Sequence, residues 1–136
     1  MQPVKLKFDI PSDLAQTRNV NRQILQAVRD HGFSDNDYFG IKLSLEEALV
    51  NAIKHGNKLD PKKHVKIYAS VDATKVEIII EDEGPGFERD DVPDPTADEN
   101  LTKCSGRGLL LMEAYMTSVE YSNRGRRIRL VKHKAP

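Results

Sequence analysis

Scarcity is the first informative property of this sequence. Cys104 is the single cysteine in 136 residues, which excludes an internal disulfide and a cysteine metal cluster and suits a reducing compartment. No electropositive setting is legible around it, so it reads as an incidental loop residue. Charge of one sign is missing too: 21 Lys and Arg balance 21 Asp and Glu, so no basic excess points to nucleic acid. Long apolar runs are absent, and the opening MQPVKLKFDI has no hydrophobic signal region. Neither a membrane span nor a secretion signal is expected, and a cytoplasmic location is. There is no repeat, no low-complexity tract, no Gly-x-Ser-x-Gly elbow, no P-loop and no GxGxxG after a strand. His55 and His64 lack partners at ligand spacing on their own segments, which argues against zinc.

What is present describes an ordinary globular chain. With 38% apolar and 31% charged residues in 136, one domain spanning 1–136 is expected, with room for a real core. The charge is uneven along the chain: Glu77 to Glu99 holds ten acidic residues against Arg89, and Lys103 to Lys134 holds eight Lys and Arg against Glu113 and Glu120. Such asymmetry gives faces that steer partners or simply solvated surface.

The stretch Leu43 to Asn57, LSLEEALVNAIKHGN, organises the rest. On a helical wheel Tyr38, Ile41, Leu45, Ala48, Leu49, Ala52 and Ile53 fall in one arc, a core-facing stripe. Ser34 is the expected N-cap, and the helix is expected from about Asp35 to His55, ending at Gly56. On the far side Glu47 and Asn51 stand one turn apart, a carboxylate above a carboxamide, able to hold a water or a hydrated metal. Alone, such a pair is solvated helix surface; only an independent motif makes it a site.

Around this helix the elements come in order. Val4 to Ile10 alternates as a half-buried strand does. Ser12 is the expected N-cap of a helix to about His31 that buries Val20, Ile24, Ala27 and Val28, leaves Arg18, Arg22, Gln26 and Arg29 outside, and stops at Gly32. Beyond the central helix, His64 to Ser70 and Lys75 to Glu81 alternate around the short Asp72-Ala73-Thr74 link, a hairpin. Thr117 to Ser122 and Arg126 to Lys132 form a second hairpin around Asn123-Arg124-Gly125, with Val119, Tyr121, Ile128 and Leu130 expected inward.

Two further motifs sit between the hairpins. Asp82-Glu83-Gly84-Pro85-Gly86-Phe87 puts an acid at the end of an apolar strand, followed by glycines that let a flat ligand approach the backbone. By itself it is also what a strand-ending turn looks like. Glu88 to Ser105 is polar and aperiodic, long enough to read as a lid. Then Ser105-Gly106-Arg107-Gly108 opens a helix through Leu109 to Met112, expected to pack in the core. Free amides, a positive helix end and an arginine suit a phosphate.

In order and spacing, EEALVNAIKHGN, DEGPGF and SGRGLLLM resemble the N box and the two glycine boxes of the GHKL (Bergerat-fold) ATPase and kinase superfamily, which includes gyrase, MutL and histidine kinases. Within it, the chain looks most like the anti-sigma factor and serine-protein kinase branch. The resemblance covers about Ser44 to Lys132. It implies an α/β two-layer sandwich, with a mixed, mainly antiparallel sheet of about five strands covered on one face by three helices. It also implies ATP or ADP as ligand and Mg2+ as cofactor. Carried over residue by residue, Asn51 would hold the magnesium, Glu47 would be the general base, Asp82 would accept the adenine amino group, and Gly84 and Gly86 would shape the base pocket. Gly106 and Gly108 would offer amides to the phosphates beside Arg107. Glu46 lies one residue off the motif spacing and is left as surface.

The implied reaction is transfer of the ATP γ-phosphate to a serine or threonine of an anti-anti-sigma-type partner, by a protein that also restrains a sigma factor or similar regulator. Homodimerisation is common in the branch; nucleic acid and membrane are not expected partners. One departure stands out: Gly125 is followed by Arg126, where the family commonly has a threonine whose hydroxyl supports the adenine-binding aspartate. It leaves open different support for Asp82 or reduced nucleotide affinity. It also motivates an alternative, a nucleotide-gated binding module without phosphotransfer. A detached histidine-kinase catalytic domain is a weaker alternative, because no phosphoacceptor helix is evident.

Overall fold

The computed structural model describes residues 2–85 and 106–135, with the Arg107 side chain excepted. The lid expected at 88–105, Gly86 and Cys104 lie outside the described residues.

Five strands form one sheet in the order β1-β2-β3-β5-β4: β1 Val4–Pro11, β2 His64–Val71, β3 Lys75–Glu81, β4 Ser118–Ser122 and β5 Arg127–His133. All four pairings are antiparallel. The mixed component expected from the resemblance is therefore absent among the described strands. Alternation sets which face is dry, because successive side chains point to opposite sides. Val65, Ile67, Ala69 and Val71 of β2 and Val76, Ile78 and Ile80 of β3 are almost fully buried. Their neighbours Lys66, Tyr68, Glu77 and Ile79 stay partly or wholly exposed on the other face. The β2–β3 link is held by one side chain: Asp72 Oδ1 accepts from Thr74 N (2.7 Å), Thr74 Oγ1 (2.8 Å) and Lys75 N (2.9 Å). This local competition with water is why aspartate serves in turns.

Three α-helices lie over the apolar face: α1 Thr17–Asp30, α2 Asp35–Val50 and α3 Gly106–Tyr115. The central α2 packs between α1 and α3 and over β3 and β5. It buries Ile41, Leu45, Ala48 and Leu49 as its stripe requires, and Ser34 Oγ caps it by accepting from Asp37 N at 3.1 Å. Gly40 allows the close crossing, since a Cβ there would meet Tyr115 Cβ at 2.9 Å.

Several expectations need correction. Ser12 does not cap α1. A short 3-10 turn, Leu14–Gln16, precedes that helix and is capped by Asp13, whose carboxylate accepts from Ala15 N at 3.0 Å. Ser12 is buried instead, donating to Lys63 O at 2.6 Å. The central helix does not run on as an α-helix to His55: at Asn51 it widens into a π-helical turn, Asn51–Gly56. Such turns insert one residue into a helix and re-aim the residues beyond it. Tyr121 shares the inner face with its partner Ile128, as expected, yet is 36% exposed, because β4 is an edge strand where pleat alternation does not guarantee cover. The third helix is also less dry than expected: Met112 is fully buried, whereas Leu110 is 64% exposed.

Candidate functional site

The wider π turn brings the end of the central helix against the end of β3. Asn51 is buried at its start, and Gly56 packs directly under the Asp82 carboxylate, so closely that a Cβ on Gly56 would overlap the carboxyl group. Gly84 approaches from the other side, where a Cβ would overlap the Gly56 carbonyl. Both glycines are thus required by backbone approach. Asp82 is buried, and its Oδ1 accepts from Gly84 N at 2.8 Å. The result is a cleft bordered by Asn51, Gly56, Asp82, Tyr121, Gly125 and Arg126, with Ile80 and Ile128 of the sheet beneath it.

The hub that fixes this corner is Asn57, which is 1% exposed. Its Nδ2 donates to Ser12 Oγ at 2.8 Å and to His64 O at 2.9 Å, and its Oδ1 accepts from Glu83 N at 2.7 Å. One amide therefore ties the end of β1, the start of β2 and the residue after Asp82. In the sequence Asn57 only closes the first motif and has no role of its own; its partners lie at positions 12, 64 and 83, beyond the reach of any local signal.

Arg126 is a second residue whose role was not legible. Its backbone carbonyl accepts from Asp82 N at 2.9 Å. Its Nε donates to Gly84 O at 2.7 Å and its Nη2 to Pro85 O at 2.8 Å. Guanidinium-to-carbonyl bonds are charge-assisted and fixed in direction by the planar fork. Gly125 just before it has φ 82, a left-handed conformation suited to glycine.

At the other end, Glu47 lies one turn before Asn51, half-buried, with its carboxylate against the Gly108 backbone in the first turn of α3. A Cβ on Gly108 would overlap that carboxylate. A negative group there is favoured by the positive helix end. Glu46 is half-buried as well, less solvated than expected. The fold thus brings together Glu47, Asn51, Asp82, Gly84 and Gly108, from a helix, a π turn, a strand end and a second helix start. Gly106 begins α3; the Arg107 side chain and Gly86 fall outside the described residues. Among the described residues, no group of three or more His, Cys, Asp or Glu is arranged to hold a metal ion by itself. His64 meets a partner from another strand, Asp9, at 2.6 Å. No helix of the described residues is long and apolar enough to cross a membrane.

A two-layer sandwich with a helix-bordered cleft between an acid–glycine turn and a glycine-led helix defines an ATPase-type domain, and residues 10–132 match the histidine kinase-like ATPase domain. The chain belongs to that family, and membership implies a site for ATP or ADP. Among named relatives it is similar to the anti-sigma F factor of Clostridium perfringens, 36% identical over 98 residues that cover 69% of each chain. It is also similar to the serine-protein kinase RsbW of Bacillus subtilis, 32% identical over 98 residues covering 68% of this chain and 61% of the relative. The serine-protein kinase RsbW of Bacillus velezensis aligns over 135 residues, 94% of this chain and 84% of its own length, at 29% identity.

Proposed function

We propose that this protein is an ATP-binding anti-sigma factor with serine/threonine kinase activity. In this reading it restrains a sigma-type regulator by direct contact and phosphorylates an anti-anti-sigma-type partner. The observation that carries the proposal is the joint placement of Asp82 between Gly56 and Gly84 with Glu47 against Gly108. One end of the cleft suits a flat base with a donor for a buried carboxylate; the other suits phosphate oxygens at a helix start. The named relatives support the regulatory half of the reading.

In this reading the Asp82 carboxylate accepts the adenine amino group, and Gly84 with Gly86 keeps the pocket thin enough for a base. The amides of Gly106 and Gly108, with Arg107, meet the phosphates. Asn51, a neutral oxygen donor buried beside the cleft, fits a Mg2+ whose remaining ligands come from phosphate and water; when bound, the ion neutralises developing phosphate charge. Glu47 takes the proton of the attacking serine or threonine hydroxyl as the new phosphorus–oxygen bond forms and ADP leaves. Phosphoryl transfer depends mainly on positioning and charge neutralisation, which this set supplies.

Incubation with radiolabelled ATP and candidate anti-anti-sigma domains tests it. Glu47→Ala is expected to lower transfer by about 10²–10⁴-fold with ATP binding retained, and Asp82→Asn to weaken ATP binding itself. Saturable ATP binding without transfer to any cognate domain would leave a nucleotide-gated binding module. No ATP or ADP binding at millimolar concentration would overturn the reading.

A further inference from the structure

The base end of the cleft is held by a residue outside all three motifs. Asp82 reaches the cleft from a turn that begins where β3 ends, and a turn of this kind is free to move unless its carbonyls are fixed. Arg126 fixes them. Its own carbonyl receives the Asp82 N–H at 2.9 Å, and its guanidinium spans the carbonyls of Gly84 (2.7 Å) and Pro85 (2.8 Å). The amide of that same Gly84 donates to Asp82 Oδ1 at 2.8 Å. A closed circuit results, running from Arg126 O to Asp82, from the Asp82 carboxylate to Gly84, and from Gly84 and Pro85 back to the Arg126 side chain. Arg126 also borders the cleft with Tyr121 and Gly125, so its clamp lies where the base would sit and away from the phosphate end at Gly108.

We propose that Arg126 is the positioning residue for base recognition, clamping the Asp82–Pro85 turn so that the carboxylate is held to discriminate adenine from guanine. The inference rests on the nucleotide-site reading of this cleft. Adenine carries an amino group at C6, a donor for a carboxylate; guanine carries a carbonyl there, which a fixed carboxylate repels. Freeing the turn lets the carboxylate drift, so the adenine bond weakens while the guanine repulsion is relieved. The signature is a loss of selectivity and not of affinity alone. Asn57 holds the same turn one residue away, at Glu83 N, so removing the arginine loosens the turn without releasing it entirely.

The test is equilibrium titration of the full chain with ADP and with GDP. Wild type is expected to prefer ADP, and Arg126→Ala to lose about tenfold of that preference, the scale of losing charge-assisted bonds. Arg126→Lys keeps one cationic donor but not the fork, and is expected between the two. It also decides the matter if Arg126→Ala does not fold: a reduced preference supports the clamp, and wild-type preference refutes it. An unchanged ADP-to-GDP ratio in the variants, including an equal weakening of both nucleotides as general loosening would give, overturns the inference while leaving the nucleotide site intact. Wild type binding neither nucleotide would instead refute the site reading, and the inference with it.

Discussion

Replacing Asn57 with alanine removes three hydrogen bonds at one buried point: two donated to Ser12 Oγ and His64 O, and one accepted from Glu83 N. Each bond contributes about 1 kcal/mol net, and leaving partners unsatisfied adds a desolvation cost of about 1–3 kcal/mol per fully buried group. The Ser12 contact is buried, whereas the His64 and Glu83 contacts are only partly so, and water can reach those two groups once the amide is gone. The sum is therefore about 4–6 kcal/mol, out of a total stability on the order of 5–15 kcal/mol. Urea unfolding should show this as a lower midpoint at unchanged slope. Asn57→Asp separates hydrogen bonding from volume. The Ser12 hydroxyl already donates to Lys63 O, so a carboxylate would face an occupied hydroxyl and the His64 carbonyl, and the aspartate variant is expected to be no more stable than alanine. Gln23→Ala on the exposed face of α1, which loses only a surface bond to Asn19 Oδ1 at 3.1 Å, should change stability by less than about 0.5 kcal/mol. A loss below about 1 kcal/mol for Asn57→Ala, or a recovery in Asn57→Asp, would refute the reasoning.

Gly84→Ala puts a methyl group onto the Gly56 carbonyl, a backbone atom without freedom to rotate away; a destabilisation of about 1–3 kcal/mol in thermal unfolding and loss of nucleotide binding are expected. Ser44 is fully buried on α2 and its Oγ has no hydrogen-bond partner among the described residues, so Ser44→Ala should be neutral or stabilise by about 1 kcal/mol, read from the urea midpoint. The Asp72 carboxyl is held below its ordinary range, first by the Thr74 backbone N–H, then by the Thr74 hydroxyl, with Lys75 adding to it. Its folded pKa is depressed, so its stabilisation is present above the unfolded carboxyl pKa, about 3.9, and is lost as pH falls through the folded value. Asp72→Asn keeps the acceptor without the titration, so the stability gap between wild type and variant should close on acidification below about pH 4.

Much of this molecule is written in local pattern. Alternation in Val4–Pro11, His64–Val71 and Lys75–Glu81 is a property of neighbouring residues, and it determined the strands and their dry face. The 3.6-residue recurrence of Ile41, Leu45, Ala48 and Leu49 likewise determined the buried side of the central helix. The Asp72 turn was legible because its bonds reach only two and three residues along the chain. The three motifs were legible as segments, since each carries its glycines and acids within a few positions.

Tertiary structure decided what depends on partners distant in sequence. Whether Ser12 caps a helix or is buried under Lys63 and Asn57 is a contest between local and long-range bonds, and the long-range bonds won. Tyr121 has the alternation of an inward residue, yet only the strand order shows that β4 is an edge, where cover runs out. The π turn at Asn51, the approach of Gly56 to Asp82 and the meeting of Glu47 with Gly108 come from how the helices sit on the sheet. Arg126 is the sharpest case. In sequence it is a departure from a family pattern; in the folded chain its guanidinium reaches carbonyls some forty positions away and closes the turn that carries Asp82. Periodicity encodes which face of an element is dry, because that depends on spacing alone. Which side chain completes a site depends on where separate elements are brought to within hydrogen-bond reach, and only the packed fold sets that distance.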